Sequence, residues 1–280
     1  MNTAAFIHGI RDVRLGEISP PAKASGSALV DVLAVGICGS DLHYYKDGGI
    51  GGAVIREPFV PGHEFSGSLT SDIEELGLVR GQMVAVDPAT PCKKCEWCAQ
   101  GYHNLCPQVV FLGAPPYNGA LTQQILVPHE SVFAMPEGMT PDQGAMLEPL
   151  GVCIHAIDLA KPRLLESVAL IGCGPIGLGI IQLLTLSGVG QIIAIDPQSH
   201  RTASAKQLGA THVGDSPSCV LDNTNGLGCH LVIEATNSPD GLVDAIKTSR
   251  IGGRLIMVGI PDGDNYSTIQ AAEARRRGLT

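Results

Sequence analysis

The chain has 280 residues, of which 44% are hydrophobic and 16% charged, with 35 glycines and 19 prolines. That length allows two domains, each with its own core, and the composition excludes a disordered chain. A formal charge of -9 argues against a nucleic-acid partner, which would need clustered Lys and Arg. The one basic run, Arg275 to Arg277, reads as a solvated helix end. No stretch approaches the roughly 18 apolar residues that span a bilayer, and the N-terminus lacks the basic-then-apolar layout of a signal peptide. Nine cysteines, an odd number, fit a reducing compartment, with cytoplasm the default.

Residues 4–18 and 27–37 alternate short apolar runs with polar residues and turns, as strands do. Further β-rich segments lie at 82–86 and 121–127, so residues 1–150 read as a small, barrel-like all-β domain. Two reactive-looking stretches interrupt the strands: Gly36-Ile37-Cys38-Gly39-Ser40-Asp41-Leu42-His43-Tyr44 and Pro61-Gly62-His63-Glu64. Cys38 and His63 sit beside glycines, where a loop can bring both onto one metal. A carboxylate would complete three protein ligands and leave a position open. Glu64 is adjacent, and Glu148 is an acid in an apolar setting, Leu147-Glu148-Pro149-Leu150. Taken singly, Cys38 reads equally well as a buried thiol and His63 as a hydrogen-bonded turn residue.

Between those strands, Cys92, Cys95, Cys98 and Cys106 form a C-x2-C-x2-C-x7-C run with Gly101 inside the last interval. Four thiolates make a closed tetrahedral shell, suited to a zinc that holds a loop and takes no part in reaction. The alternatives are two disulfides, four free thiols or an iron–sulfur cluster; ferredoxin-type runs place the fourth cysteine soon after the third, whereas seven residues intervene here.

From Met139 a broad apolar face through Ile157 predicts one helix, with Thr140-Pro141 at its start. The apolar strand 168–171 then runs into Gly172-Cys173-Gly174-Pro175-Ile176-Gly177 and a further apolar stretch, the strand–turn–helix setting a dinucleotide fingerprint requires. Gly172 makes the tight turn, Gly174 admits the pyrophosphate and Gly177 lets helix and strand pack closely. The next strand, 191–195, ends in Asp196, whose carboxylate would accept both ribose hydroxyls and repel a 2′-phosphate. NAD is therefore expected over NADP, although Arg201 is placed to accommodate that phosphate. Strands near 211–213, 230–235 and 253–258, with helices at 199–208 and 240–248, complete a doubly wound parallel sheet over 151–280.

These motifs together resemble the zinc-dependent medium-chain dehydrogenase/reductase family, and within it the polyol dehydrogenases of the sorbitol, xylitol and L-idonate type. The resemblance implies an α/β protein with a GroES-like catalytic domain (1–150) and a Rossmann NAD-binding domain (151–280). It implies Cys38 and His63 as catalytic-zinc ligands with Glu64 or Glu148 as the carboxylate, and Cys92, Cys95, Cys98 and Cys106 around a structural zinc. Ser40 would pass the alcohol proton outward, His43 would follow it, and Tyr44 would touch substrate. Ile176, Val258, Gly259 and Ile260 would join the fingerprint glycines, Asp196 and Arg201 at the cofactor. A polyol or sugar acid is the implied substrate, and a homo-oligomer the implied assembly if the full fold is present. Family members continue past Thr280 into another strand, so a fragment or short form is expected. A threonine-type amino-alcohol dehydrogenase and an inactive zinc- and nucleotide-binding protein are the alternatives.

Overall fold

Ala28 and Val30 point inward and Asp31 outward along Ser27–Val35, which lays a half-buried strand against its neighbours. In the computed structural model, which describes residues 2–19, 21–22, 24–262, 266–269 and 271–280, this strand belongs to an antiparallel five-stranded sheet. Its order is Gln124–Pro128, Ser27–Val35, Phe65–Leu69, Met83–Val86, Val132–Ala134. Val30, Phe65, Leu69, Val84 and Val127 form its core. A hairpin of Asn2–Gly9 and Asp12–Ile18 accompanies the sheet. The pairing of Val35 with Phe65 matters most for the site. It brings the stretch just after one strand beside the stretch just before the other, so Gly36 N–H donates to the Glu64 carbonyl at 2.7 Å.

The chain divides into two units, Met1–Glu148 and Pro149–Thr280. In the second, five strands run parallel in the order His212–Gly214, Gln191–Ile195, Ser167–Ile171, Cys229–Glu234, Ser249–Met257. Each sheet face has its own core, because successive side chains alternate. Val168, Leu170, Ala194 and Ile233 pack with Ile180, Ile181 and Leu184 on one face. Ala169, Ile171, Ile193 and Val232 pack with Val220 and Ala245 on the other. Burial on both faces explains why these strands read as continuous apolar runs.

Two local readings are corrected, and one helix is added. The single helix expected from Met139 is two, Pro141–Ala145 and Leu147–Ala160. Thr140 caps the first as expected, Oγ1 accepting from Gln143 N–H at 3.3 Å. Pro149 cannot donate to the ladder, so it sits in the first turn of a new helix and not inside a continuous one. Pro217–Asp222 is a helix that no periodicity announced. The basic run is not wholly solvated: Arg277 pairs with Glu273 at 2.7 Å and donates to the Ser249 carbonyl at 2.7 Å. Beyond that helix, Thr280 exchanges backbone hydrogen bonds with the outer strand, at Gly253 and Leu255. Among the described residues, no helix is long and apolar enough to cross a membrane.

Arg254 and Glu166 tie this second unit together. The guanidinium donates to both Glu166 oxygens, at 3.0 and 2.7 Å, and Nε reaches the Ala160 carbonyl at 3.3 Å. Arg254→Ala should cost about 2–3 kcal/mol by urea denaturation, since it strands a largely buried carboxylate. The pair with Arg254 holds the Glu166 carboxyl below its usual range. Its stabilisation is therefore full above the ordinary glutamate range and fades as pH falls through the lowered value. The gap between wild type and Arg254→Ala should close in acid and persist at neutral pH.

Candidate metal centres and nucleotide site

Cys38 caps the N-terminus of the helix Gly39–Asp47. Its N–H donates to Asp41 Oδ2 at 2.9 Å, the reciprocal arrangement of a capping box. Asp41 Oδ1 accepts from Gly62 N–H at 3.2 Å, so one buried carboxylate fastens the Cys38 loop to the His63 loop. Burial pushes the Asp41 carboxyl up, while nearby His63 and the two N–H donors oppose that rise. Asp41 was absent from the residues singled out by sequence. Its signal was an acid three positions after the residue that opens a helix.

The ligand atoms of Cys38, His63 and Glu64 lie within 4.8 Å of one another. The Glu64 carboxylate occupies the space beside Gly36, where a Cβ would lie 2.1 Å from Oε2, so any larger residue there would displace it. The set fits a metal on an independent observation. His63 Nδ1 is buried without a hydrogen-bond partner and lies 4.0 Å from Asp41 Oδ1. A histidine that gives one nitrogen to a metal characteristically turns the other toward a carboxylate. Burial raises the Cys38 thiol and the Glu64 carboxyl; the Glu64 and Asp41 charges raise the thiol further, while His63 and a hydrogen bond from Cys38 oppose the rise of Glu64. A bound cation would reverse that penalty and favour thiolate and carboxylate.

Glu148 is not in this three-residue group. Burial lifts its carboxyl to about 7; His63 opposes the rise, and Glu64, Asp87 and Asp41 add to it. Ser40 lies on the Cys38 side of the same helix and hydrogen-bonds the Cys38 thiol. One turn on, buried His43 places Nδ1 3.0 Å from Asp47 Oδ2, and the Asp47 side chain reaches partly into solvent. Tyr44 is buried edge-on to Phe59, ring centroids 5.3 Å apart, and takes part in the core with Ile7. Burial, then the charges of Asp41 and Cys38, push its hydroxyl up to about 12.

The four sulfurs of Cys92, Cys95, Cys98 and Cys106 also lie within 4.8 Å of one another, with Cys95 and Cys106 4.0 Å apart. Tetrahedral Zn–S bonds of about 2.3 Å imply S···S separations of about 3.8 Å, whereas a disulfide needs about 2.0 Å. All nine cysteines are free, which removes the disulfide alternative. Cys92 N–H donates to Cys106 Sγ at 3.3 Å. The N–H of Lys94 draws the Cys92 thiol down, and burial pushes Cys98 up. Four sulfurs this close cannot all ionise without a cation between them.

In the second unit Gly172, Gly174 and Gly177 lie at the turn from the strand Ser167–Ile171 into the helix Pro175–Leu186. Gly172 has φ +98°, and a Cβ there would meet the Ala235 carbonyl at 2.6 Å. A Cβ on Gly177 would lie 2.1 Å from the Gly172 carbonyl, so only glycine lets the helix Pro175–Leu186 approach the strand. Space beside Gly174 is open, with nothing within 4 Å of a Cβ built there, as a cradle for pyrophosphate requires. Ile176 lies in the first turn of that helix. Asp196 is buried at the end of its strand, Oδ2 accepting from Cys173 N–H and Oδ1 from Gln198 N–H, each at 2.9 Å. Arg201 Nη1 stands 3.5 Å from Asp196 Oδ2. Val258 and Gly259 N–H groups donate to the Glu234 carbonyl, which draws the Val258–Gly259–Ile260 turn to the same carboxyl ends of the strands. The strand order reverses there, between Ser167–Ile171 and Cys229–Glu234, the usual place for a nucleotide in such sheets.

Residues 24–137 match the alcohol dehydrogenase GroES-like domain and residues 175–278 the zinc-binding dehydrogenase family. Sorbitol dehydrogenase of Bacillus subtilis (strain 168) is 36% identical over 266 residues, covering 92% of this chain and 75% of that one. A probable D-xylulose reductase A of Neosartorya fischeri is 33% identical, covering 97% and 79%. The crystal structure of L-idonate 5-dehydrogenase from Escherichia coli K-12 superposes with a TM-score of 0.89 at 26% identity, covering 100% of this chain and 81% of that one. The chain belongs to the zinc-dependent medium-chain dehydrogenase/reductase family and is related to its polyol dehydrogenases. Its two clusters are zinc donor sets, and related structures carry both forms of nicotinamide cofactor. A zinc-binding dehydrogenase from Sinorhizobium meliloti 1021 is bound to NADP (27% identity, TM-score 0.87, covering 100% and 82%). An alcohol dehydrogenase from E. coli CFT073 is complexed with NADH (26%, 0.86, covering 100% and 82%).

Proposed function

We propose that the protein oxidises a secondary alcohol of a polyol or sugar acid to a ketone, with NAD as acceptor. The observation that carries this reading is the convergence of the ligand atoms of Cys38, His63 and Glu64 to within 4.8 Å of one another. Bound zinc lowers the pKa of an alcohol toward neutrality, and bound NAD accepts hydride. Cys38, His63 and Glu64 would hold the catalytic zinc, with Glu148 the alternative carboxylate. Cys92, Cys95, Cys98 and Cys106 hold the structural one.

Ser40 takes the alcohol proton at Oγ. His43, one turn along the same helix face, accepts it next, and Asp47 delivers it toward solvent. Tyr44, its ring anchored on Phe59, lends its hydroxyl to the substrate. Gly172, Gly174, Ile176 and Gly177 seat the pyrophosphate, Asp196 the ribose, and Val258, Gly259 and Ile260 flank the nicotinamide. Asp196 favours NAD, since a 2′-phosphate would meet a buried carboxylate; Arg201 beside it weakens that preference without reversing it.

Ser40→Ala should lower kcat by about 10²–10³-fold, and alkaline pH should partly restore it because bulk base replaces the lost relay. An unchanged pH profile would remove Ser40 from the relay. Asp196→Ala should raise the KM for NAD about tenfold or more and narrow the NAD-to-NADP ratio, with little change in kcat. The reading as a whole is tested by NADH formation from sorbitol, xylitol, L-idonate and L-threonine. Turnover of a polyol or the sugar acid supports it, turnover of threonine alone would favour an amino-alcohol dehydrogenase, and nucleotide binding without turnover would leave a binding protein.

A further inference from the structure

A second cleft, of about 380 Å³, opens at the amino ends of the parallel strands, the end opposite to the nucleotide fingerprint. Its walls include Ser167 at the start of one strand, His230 near the start of the next, and Arg250 in the outer strand. No acid lines it, although acids outnumber bases in the chain. The volume lies in the range of small-molecule sites. Of the five non-glycine residues with positive φ among the described residues, two, Leu165 (64°) and Asn225 (52°), stand on its rim. Backbone strain of that kind persists where the surroundings over-determine it.

The hydrogen bonds set this cleft up as a donor array. Arg250 Nη1 hydrogen-bonds His230 Nε2, which holds the guanidinium at the cleft wall. The other ring nitrogen, Nδ1, meets Ser167 twice, accepting from its backbone N–H at 3.3 Å and lying 2.8 Å from its Oγ. Ser167 Oγ also accepts from the His230 backbone N–H at 3.4 Å, which fixes the hydroxyl beside the guanidinium. Burial, then the nearby Arg250 charge, lowers the affinity of His230 for a second proton, which leaves Arg250 as the cation of the cleft. Among the described residues Arg250 has no carboxylate within ion-pair distance, because Glu166 is engaged by Arg254 on both oxygens. A half-buried, forked, unpaired cation beside a hydroxyl calls for a bidentate oxyanion.

We propose that this cleft binds a phosphate group through Arg250 and Ser167, either free as inorganic phosphate or carried by a small phosphomonoester whose body rests on Leu165 and Leu227. The site is independent of the zinc centres and of the dehydrogenase reading.

The test is calorimetric titration of the full chain with inorganic phosphate and with glycerol 3-phosphate, ionic strength held constant with sodium chloride. Saturable binding is expected for one or both. Tighter binding of the monoester identifies an organic phosphate as the ligand, and equal affinity identifies phosphate itself. Arg250→Leu should weaken binding about tenfold or more. Asn225→Asp, an exchange this left-handed backbone tolerates, should weaken it by charge repulsion without touching the Arg250–His230 bond. Circular dichroism confirms that both variants fold. Absence of saturable heat, or affinity unchanged in both folded variants, overturns the proposal; the second result would place any bound phosphate at the Gly172–Gly177 helix start instead.

Discussion

Cys38→Ala should abolish NADH formation, by about 10⁴-fold or more in kcat/KM, while leaving the protein folded and one zinc in place. The size follows from what the alcohol needs. Its unassisted pKa lies far above neutrality, and metal polarisation supplies several kcal/mol of charge stabilisation, each 1.36 kcal/mol being tenfold in rate. Removing one of the three converging donors leaves His63 and Glu64, too few to keep a zinc with an open position. The fold should survive because Asp41 still fastens the two loops: its bonds run to backbone N–H groups of Cys38 and Gly62, not to the thiol. The measurements are turnover and metal content on the same preparation. Full turnover with one zinc lost, or loss of both zincs with turnover intact, would remove Cys38 from the chemistry.

Cys95→Ala should give the mirror result, one zinc lost and a large fall in stability. The segment from Cys92 to Cys106 contains only the four-residue helix Glu96–Ala99 and the short 3-10 turn His103–Leu105. Trp97, Tyr102 and Leu105 are exposed, so little apolar burial holds the segment in place. Metal-ligand bonds must supply what the core does not, and in small zinc modules that is most of the folding energy. A loss of about 3–5 kcal/mol, roughly 10 °C in Tm, is expected, with new proteolytic cleavage confined to 92–106. An unchanged melting curve would mean that the lobe is held by packing and that the four thiols are incidental.

Both centres could be named from residues because their chemistry is written in local spacing. Four cysteines within one loop, and a glycine-framed turn between an apolar strand and an apolar helix, need no distant information. Cys38, His63 and Glu64 were legible as motifs, but their meeting is a consequence of the Val35–Phe65 register, a pairing that no local pattern specifies. Asp41 escaped notice for the same reason: a buried acid gains its role from Gly62, which only the folded sheet brings near. The helix break before Leu147 turned on a single missing N–H at Pro149, a local signal outweighed by the apolar periodicity around it. The Arg250 cleft left no trace in the sequence, since Ser167, His230 and Arg250 come from three separate strands.

Elemental analysis of the purified full chain tests the central claim most directly. Two zinc ions per chain are expected, falling to one in Cys38→Ala and to one in Cys95→Ala. A single zinc in the unaltered chain that persists in Cys38→Ala would contradict a catalytic metal at Cys38, His63 and Glu64.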